Sequence, residues 1–359
     1  MTTKPAIQIV IPVHDETRPI RRAVESVLAD ENSQPLVIAH NISPTKLDIP
    51  EDSRVEILEL NRDAGMPGAC FDFGIANATS PWVGIMGSDD WYDPGALSAM
   101  HQRVIHDKAD GIISPLKHQL LEHNQLRPVT YRRRNLQAAR DRMFYRTAPL
   151  GIFRTTMMQE EQYRFGAIFP AGSDMRVTAL LWTSGRSFSY HWNDPAYVVG
   201  KDAKTRVTFT PRPLEITGAP CIELLNEERV QEFNKKTRHS LAVKLAKVHV
   251  GSAAILRRKE TDWLPGDFQW LSNYLQLLRD FDANFYKALL PCEQKLFLAI
   301  EKNDFTQALD ILNNWEKLLK VRRNTPRQYF DAITQHDSNI RLGVDGLINN
   351  RLTKYGLSK

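Results

Sequence analysis

The chain is poor in cysteine: among 359 residues only Cys70, Cys221 and Cys292 occur, far apart and without a CxxC spacing. That leaves no disulfide framework and no thiolate zinc site, only three buried thiols. Long apolar runs are missing too; none approaches the roughly 20 residues that span a bilayer, and the first residues lack the order of a signal peptide. A cytoplasmic protein is expected, with peripheral contact at the inner face of a membrane left open. No repeat period is convincing and no segment is low in complexity. With 42% hydrophobic and 25% charged residues the composition is that of a globular protein. A formal net charge of +5 permits anionic partners, yet by itself does not point to nucleic acid.

What is present is an alternation. IQIVIPV (Ile7 to Val13) reads as a strand, and PIRRAVESVL as a helix with Ile20, Ala23, Val24, Val27 and Leu28 on one face. PLVIAHNI and RVEILEL read as two more strands, GACFDFGIANA as a helix and WVGIMG as a fourth strand. Such alternation predicts an α/β fold of Rossmann type, a mostly parallel sheet with helices on both faces and ligands outside the carboxyl ends of its strands. Residues 1–110 form this half. Residues 111–212 mix short strands such as DGIISPL and SFSYHW with a helix at DMRVTALLW. After TPRPLE the pattern turns wholly helical, which predicts a domain boundary near residue 212 and an all-α domain over 213–359. There DFTQALDILNNWEKLL sets Phe305, Ala308, Leu309, Leu312, Trp315 and Leu319 on one stripe behind a capping Asp304, and DFQWLSNYLQLL does the same with Phe268, Leu271, Leu275 and Leu278.

The fourth strand stops on two adjacent carboxylates, Asp89 and Asp90, in GIMGSDDWYDPGAL. Like charges side by side call for a cation or water between them. Mn²⁺ or Mg²⁺ suits such a pair, since these ions take one or two carboxylates together with phosphate oxygens. The plain alternative is that one of the two caps the helix opening near Pro94.

IVIPVHDETRPIRRAVESVL and RDAGMPGACFDFGIANATSPWVGIMGSDDWYDPGAL together resemble the nucleotide-sugar-binding half of family 2 glycosyltransferases, which have the A-type glycosyltransferase fold. The resemblance covers roughly the first 210 residues. It implies an inverting transfer of a sugar from a nucleotide diphosphate, most simply a UDP-sugar, to a hydroxyl of a glycan, glycolipid or phosphate-bearing polymer. Pro12, Val13, His14, Asp15 and Glu16 would hold the nucleoside, Asp89 would touch the ribose or the metal, and Asp90 would ligate the metal. Asp63, before Gly65, would approach the base or simply form a turn. Asp174, in FPAGSDMRVTALLW, would be the general base, or else an N-cap. Lys201 and Arg206, in GKDAKTRVT, would meet the diphosphate or lie in a solvated loop. The chain departs from the family pattern in several places: His40 and Asn41 stand where an acidic VDDGS is common, Cys70, Phe71 and Asp72 where Ala-Arg-Asn is common, Gly87 in place of an aspartate, and Ser173 in place of a glutamate. These departures leave open a second reading, a catalytically weakened nucleotide-sugar-binding or scaffold subunit. A nucleotidyltransferase ranks last, because PVHDETRP replaces its Gly-rich basic loop.

Three features have no assigned role in that scheme. His191 is a ligand, an acceptor contact or a packed side chain. The segment from Arg127 to Arg146 carries seven arginines against one aspartate, Asp141, and reads as a solvated face, a wall of the acceptor cleft or a docking patch for phosphate. A nucleic-acid partner is not expected, since it would leave Asp89, Asp90 and Asp174 without a task. In the helical domain, Leu241 to Lys259 and Lys320 to Asn324 suggest basic faces, open to self-association or to an acidic membrane surface.

Overall fold

The computed structural model describes residues 5–61, 66–121, 123–166, 168–202, 212–320, 330–331 and 333–354. The chain divides into two compact units, Met1–Gln137 with Arg146–Thr210, and Ala138–Tyr145 with Pro211–Lys359.

In the first unit the order is β1 (Ile7–Val13), α1 (Ile20–Leu28), β2 (Ser33–His40), β3 (Glu56–Leu60), α2 (Pro67–Asn77), β4 (Trp82–Ile85), β5 (Trp91–Tyr92), α3 (Ala96–His106), β6 (Gly111–Ile113), β7 (Leu116–His118), β8 (Gly151–Arg154), α4 (Thr155–Met158), α5 (Asp174–Thr183), β9 (Phe188–Tyr190) and β10 (Tyr197–Val199). Seven strands form one sheet in the order β3-β2-β1-β4-β8-β6-β9, mostly parallel, with β8 antiparallel to both its neighbours. The order reverses between β1 and β4, because the crossovers through α1 and α2 carry the chain to opposite sides of β1. That reversal opens a crevice at the carboxyl ends of β1 and β4.

β1 lies at the centre, and Ile7, Ile9, Val10, Ile11 and Val13 are wholly buried, as a strand covered on both faces requires. Gln8 is the polar exception. Its Oε1 accepts from the Thr79 and Ser80 N–H groups at 2.7 and 2.8 Å, which fastens the turn entering β4 to β1. A small second sheet, in the order β5-β10-β7, carries β10 to the segment that follows Asp90.

The described part of the second unit is helical: α6 (Leu214–Asn226), α7 (Glu228–Gln231), α8 (Lys235–Lys244), a π-helical stretch Leu245–Gly251, α9 (Ser252–Ile255), α10 (Asp267–Phe281), α11 (Pro291–Glu301), α12 (Phe305–Asn313), α13 (Trp315–Lys320) and a last helix Asn339–Lys354. Asp304 caps α12 by accepting from the Gln307 N–H. The expected single stripe from Phe305 to Leu319 is broken. Asn314 leaves the helical conformation and its side-chain amide donates to the Asp310 carbonyl at 2.9 Å, so α13 starts anew and Leu319 is exposed. None of the helices among the described residues is long and apolar enough to cross a membrane.

Each of the two basic stretches sends some of its cations inward, while Arg127, Arg132, Arg134, Arg258 and Lys259 stay exposed. Ala138–Tyr145, the middle of the arginine-rich segment, belongs to the helical unit. Within it Arg142 is buried, donates to the His336 carbonyl at 2.7 Å and pairs with Asp345 at 2.7 Å. Arg146, in the first unit, is also buried and donates to the Ser114 and Leu150 carbonyls. Between Leu241 and Lys259, Lys244 is buried at 2.9 Å from His249 Nε2, Lys247 donates to the Asp337 carbonyl and Arg257 pairs with Asp267. Burial and the Lys244 charge hold His249 well below the ordinary histidine range. Of Lys320 to Asn324, residues 321–324 lie outside the described residues. All three cysteines are buried and none of them forms a disulfide.

Replacing a buried guanidinium strands its carboxylate partners. Arg142→Ala is expected to destabilise the protein by about 3 kcal/mol, read as a lower urea midpoint at unchanged slope; a loss below about 1 kcal/mol would show that the Asp345 pair contributes no more than a surface bridge.

Candidate functional site

β4 ends at Ile85 in the crevice, and the Met86 N–H donates to the Val10 carbonyl at 2.9 Å, holding the following turn against β1. The turn closes with the Asp90 N–H on the Gly87 carbonyl at 3.1 Å. Beyond it β5 pairs with β10, which sets Tyr197 and Gly200 against the second carboxylate. Asp90 Oδ2 accepts from the Tyr197 hydroxyl at 2.5 Å and Oδ1 from the Gly200 N–H at 2.8 Å. The Tyr197 oxygen in turn accepts from the Gly87 N–H at 3.0 Å. Burial, and after it the Asp89 charge, push Asp90 up to about 6 despite these bonds. Burial and the adjoining Asp90 raise Tyr197 well above the phenol range.

Asp89 is balanced differently. Arg18, in the loop after β1, places Nη2 2.5 Å from Asp89 Oδ1 and Nε 3.0 Å from Ser88 Oγ, with the two charged side chains only 11% and 13% exposed. Arg22, one turn on, donates to the Asp89 carbonyl at 2.7 Å and to Asp202 at 2.6 Å, and its guanidinium lies 4.0 Å from the centre of the Trp91 ring. Neither carboxylate caps α3. That helix starts after Gly95, held in the left-handed region at φ 79°, while Asp93 binds Lys117 and the Ala196 N–H.

Gly87, where the family pattern commonly has aspartate, explains itself. A Cβ there would lie 2.8 Å from Asp90 Oδ2 and 3.1 Å from Asp89 Oδ1, so both carboxylates converge on the space that this glycine leaves open. Gly200 is equally constrained, since a side chain would run into the Asp89 carbonyl. Among the described residues no group of three or more His, Cys, Asp and Glu gathers as a metal site; the carboxylates stand as a pair. Two hard oxygen donors converging on an open cradle suit Mg²⁺ or Mn²⁺, which draw their remaining ligands from phosphate and water.

The other predicted residues fall as follows. Pro12 and Val13 end β1 opposite Ile38 and Ala39 of β2. His14 and Glu16 are exposed, and Asp15 accepts from the Thr17 N–H at 2.8 Å in the turn leading to Arg18. Asn41 follows β2 at the same sheet edge, in the left-handed region at φ 53°, whereas His40 is buried inside the strand and does not share its exposed position. Lys201 is exposed just after Gly200. Asp63, Gly65 and Arg206 lie outside the described residues.

Asp174 is the first residue of α5, and Ser173 is the cap residue, without a side-chain capping bond; the N-cap alternative for Asp174 therefore does not hold. A Cβ on Gly68 would lie 3.2 Å from Ser173 Oγ, which puts the start of α5 beside the start of α2. Asp72, where the family commonly has an Ala-Arg-Asn helix, serves the same junction by accepting from the Phe165 and Gly166 N–H groups, both at 2.8 Å. His191 is a packed side chain, buried with Nε2 2.6 Å from Asp107.

Sequence reasoning missed Arg18, Arg22, Tyr197 and Gly200. A signal for the arginines was present in TRPIRR: three cations at the start of a helix face an unfavourable dipole unless acids answer them, and Asp89, Asp48 and Asp202 do.

Because the folded protein binds the Asp90 proton more tightly than the unfolded chain, stability falls as pH rises from about 4 through about 6. Asp90→Asn removes that loss. In metal-free buffer its stability relative to wild type is expected to be greatest above pH about 6, by about 3 kcal/mol, and to shrink toward pH about 4; urea titrations across that range check it, and a pH-independent difference would contradict it.

Residues 8–164 match the model of glycosyl transferase family 2. The succinoglycan biosynthesis protein ExoO of Rhizobium meliloti (strain 1021) is 30% identical over 105 residues, 28% of this chain and 30% of that protein, so the match spans less than a third of the relative. Among solved structures, S. aureus TarS 1-349 in complex with UDP-GlcNAc superposes with a TM-score of 0.69 at 13% identity, over 87% of this chain and 91% of that one. S. aureus TarS 1-349 alone gives 0.67 at 12% identity over the same shares. The architecture is therefore the A-type glycosyltransferase fold with a helical region after it. Over residues 8–164, the chain is similar to glycosyl transferase family 2.

Proposed function

We propose that this chain is a metal-dependent, inverting glycosyltransferase that moves a sugar from a UDP-sugar to a hydroxyl of a glycan, glycolipid or phosphate-bearing polymer. The observation that carries the proposal is the convergence of Asp89 and Asp90 over Gly87, at the point where the strand order reverses. UDP-GlcNAc in a TarS structure of the same fold supports the choice of donor, and the role of ExoO in succinoglycan biosynthesis supports a polysaccharide as the product.

Asp89 and Asp90 would hold Mn²⁺ or Mg²⁺, which as a Lewis acid would neutralise charge on the departing diphosphate. The chain's own groups do the rest. Pro12 to Glu16 border the nucleoside at the end of β1, and the Asn41 amide offers both a donor and an acceptor to a uracil edge. Asp63 and Gly65 are proposed, from the family resemblance alone, to contact the nucleoside. Lys201 and Arg206 bring cations toward the diphosphate as it leaves. Asp174 takes the proton of the acceptor hydroxyl while that oxygen attacks the face of the sugar opposite the leaving group.

Calorimetry with UDP tests the donor half. Binding is expected with Mn²⁺, and is expected to be lost with chelator and in Asp90→Ala; binding indifferent to both would overturn the metal assignment. For the base, Asp174→Asn should keep UDP affinity within about twofold while transfer falls at least about 100-fold. Full transfer by that variant would remove Asp174 from the mechanism.

A further inference from the structure

We infer that Arg18 is a movable countercharge of the donor site: it holds Asp89 in the ligand-free protein and passes to the diphosphate when nucleotide and metal bind. This rests on the donor-site reading above and assigns a role to a residue that reading does not use.

The geometry sets up a competition. Arg18 occupies Asp89 Oδ1 at 2.5 Å, on the carboxylate pair that converges over Gly87. The pair is largely shielded from water, so the attraction is screened less than at an open surface. A divalent ion arriving at Asp89 meets a guanidinium already in place. It must displace Arg18 or sit against a like charge.

The arrival of a diphosphate reverses the balance. Its oxygens bring several negative charges to the same few ångströms, and a guanidinium presents a planar fork suited to phosphate. Arg18 lies in the loop between β1 and α1, and its Nε bond to Ser88 Oγ keeps it at the crevice. The long side chain can leave Asp89 for a phosphate without movement of the sheet. Arg22 is not equivalent, because it is committed to the Asp89 carbonyl, Asp202 and the Trp91 ring.

The consequence is a pair of effects with opposite sign. Without Arg18 the carboxylates should bind a bare divalent ion more tightly, since a competing cation is gone. They should bind UDP less tightly in the presence of that ion, since a phosphate partner is gone. A residue that only braced the loop would weaken both.

The test measures Mn²⁺ binding without nucleotide, by the electron spin resonance signal of free Mn²⁺, and UDP binding at saturating Mn²⁺, by calorimetry. Wild type, Arg18→Ala, Arg18→Lys and Asp90→Ala are compared. For Arg18→Ala the expected result is Mn²⁺ affinity raised at least threefold and UDP affinity lowered at least tenfold. Arg18→Lys, which keeps the charge but loses the fork, should leave Mn²⁺ affinity near wild type and lower UDP affinity. It also secures the test should the alanine variant fold poorly. Loss of both affinities in Arg18→Ala, or a change in neither, overturns the assignment while leaving the donor site intact if Asp90→Ala still abolishes binding. A wild type that binds neither Mn²⁺ nor UDP overturns the donor-site reading and this inference together.

Discussion

Asp89 and Asp90 follow one another at the end of a parallel strand, and two charges about 4 Å apart at a protein surface repel by about 4 kcal/mol. The first unit resolves that conflict asymmetrically. Asp89 stays paired with Arg18, while Asp90 sinks toward Tyr197 and the Gly200 N–H and is pushed up to about 6. Gly87 keeps the space above both carboxylates open. What surrounds the turn, from the β1 loop that carries Arg18 to the small sheet that delivers Tyr197, serves to hold two like charges at the mouth of one crevice. A protein that needed only stability would not place them there.

The scaffold makes this arrangement possible. Reversal of strand order between β1 and β4 leaves the ends of two neighbouring strands uncovered, and the Met86 bond to Val10 ties the carboxylate turn to the most deeply buried strand. The pair thus sits on a rigid base, while the groups that answer its charge are long side chains and a strand-end glycine. Such a division suits a site that must exchange an internal cation for an external one.

The α/β layout was legible because parallel strands buried on both faces appear as aliphatic runs, and α1 shows its apolar stripe without interruption. The carboxylate pair was legible too, since nothing apolar accounts for it. Arg18, Arg22, Tyr197 and Gly200 were not, because each reaches the site through pairing or loop closure between residues 67 to 180 positions apart. Arginine-rich stretches misled for a related reason. A local run of charge looks solvated, and only the fold reveals that Arg142 and Arg146 are buried against distant carboxylates and carbonyls. The Asn314 break in the predicted stripe was hidden because apolar spacing alone does not register an amide that bonds back to the preceding turn.

The most direct measurement is the anomalous scattering of manganese in crystals grown with Mn²⁺ and UDP. The predicted result is a manganese peak bonded to Asp90 and to the diphosphate, with Arg18 turned from Asp89 to a phosphate oxygen. Manganese and nucleotide bound away from the Asp89–Asp90 turn, or a nucleotide seated there with no metal on either carboxylate, would contradict it.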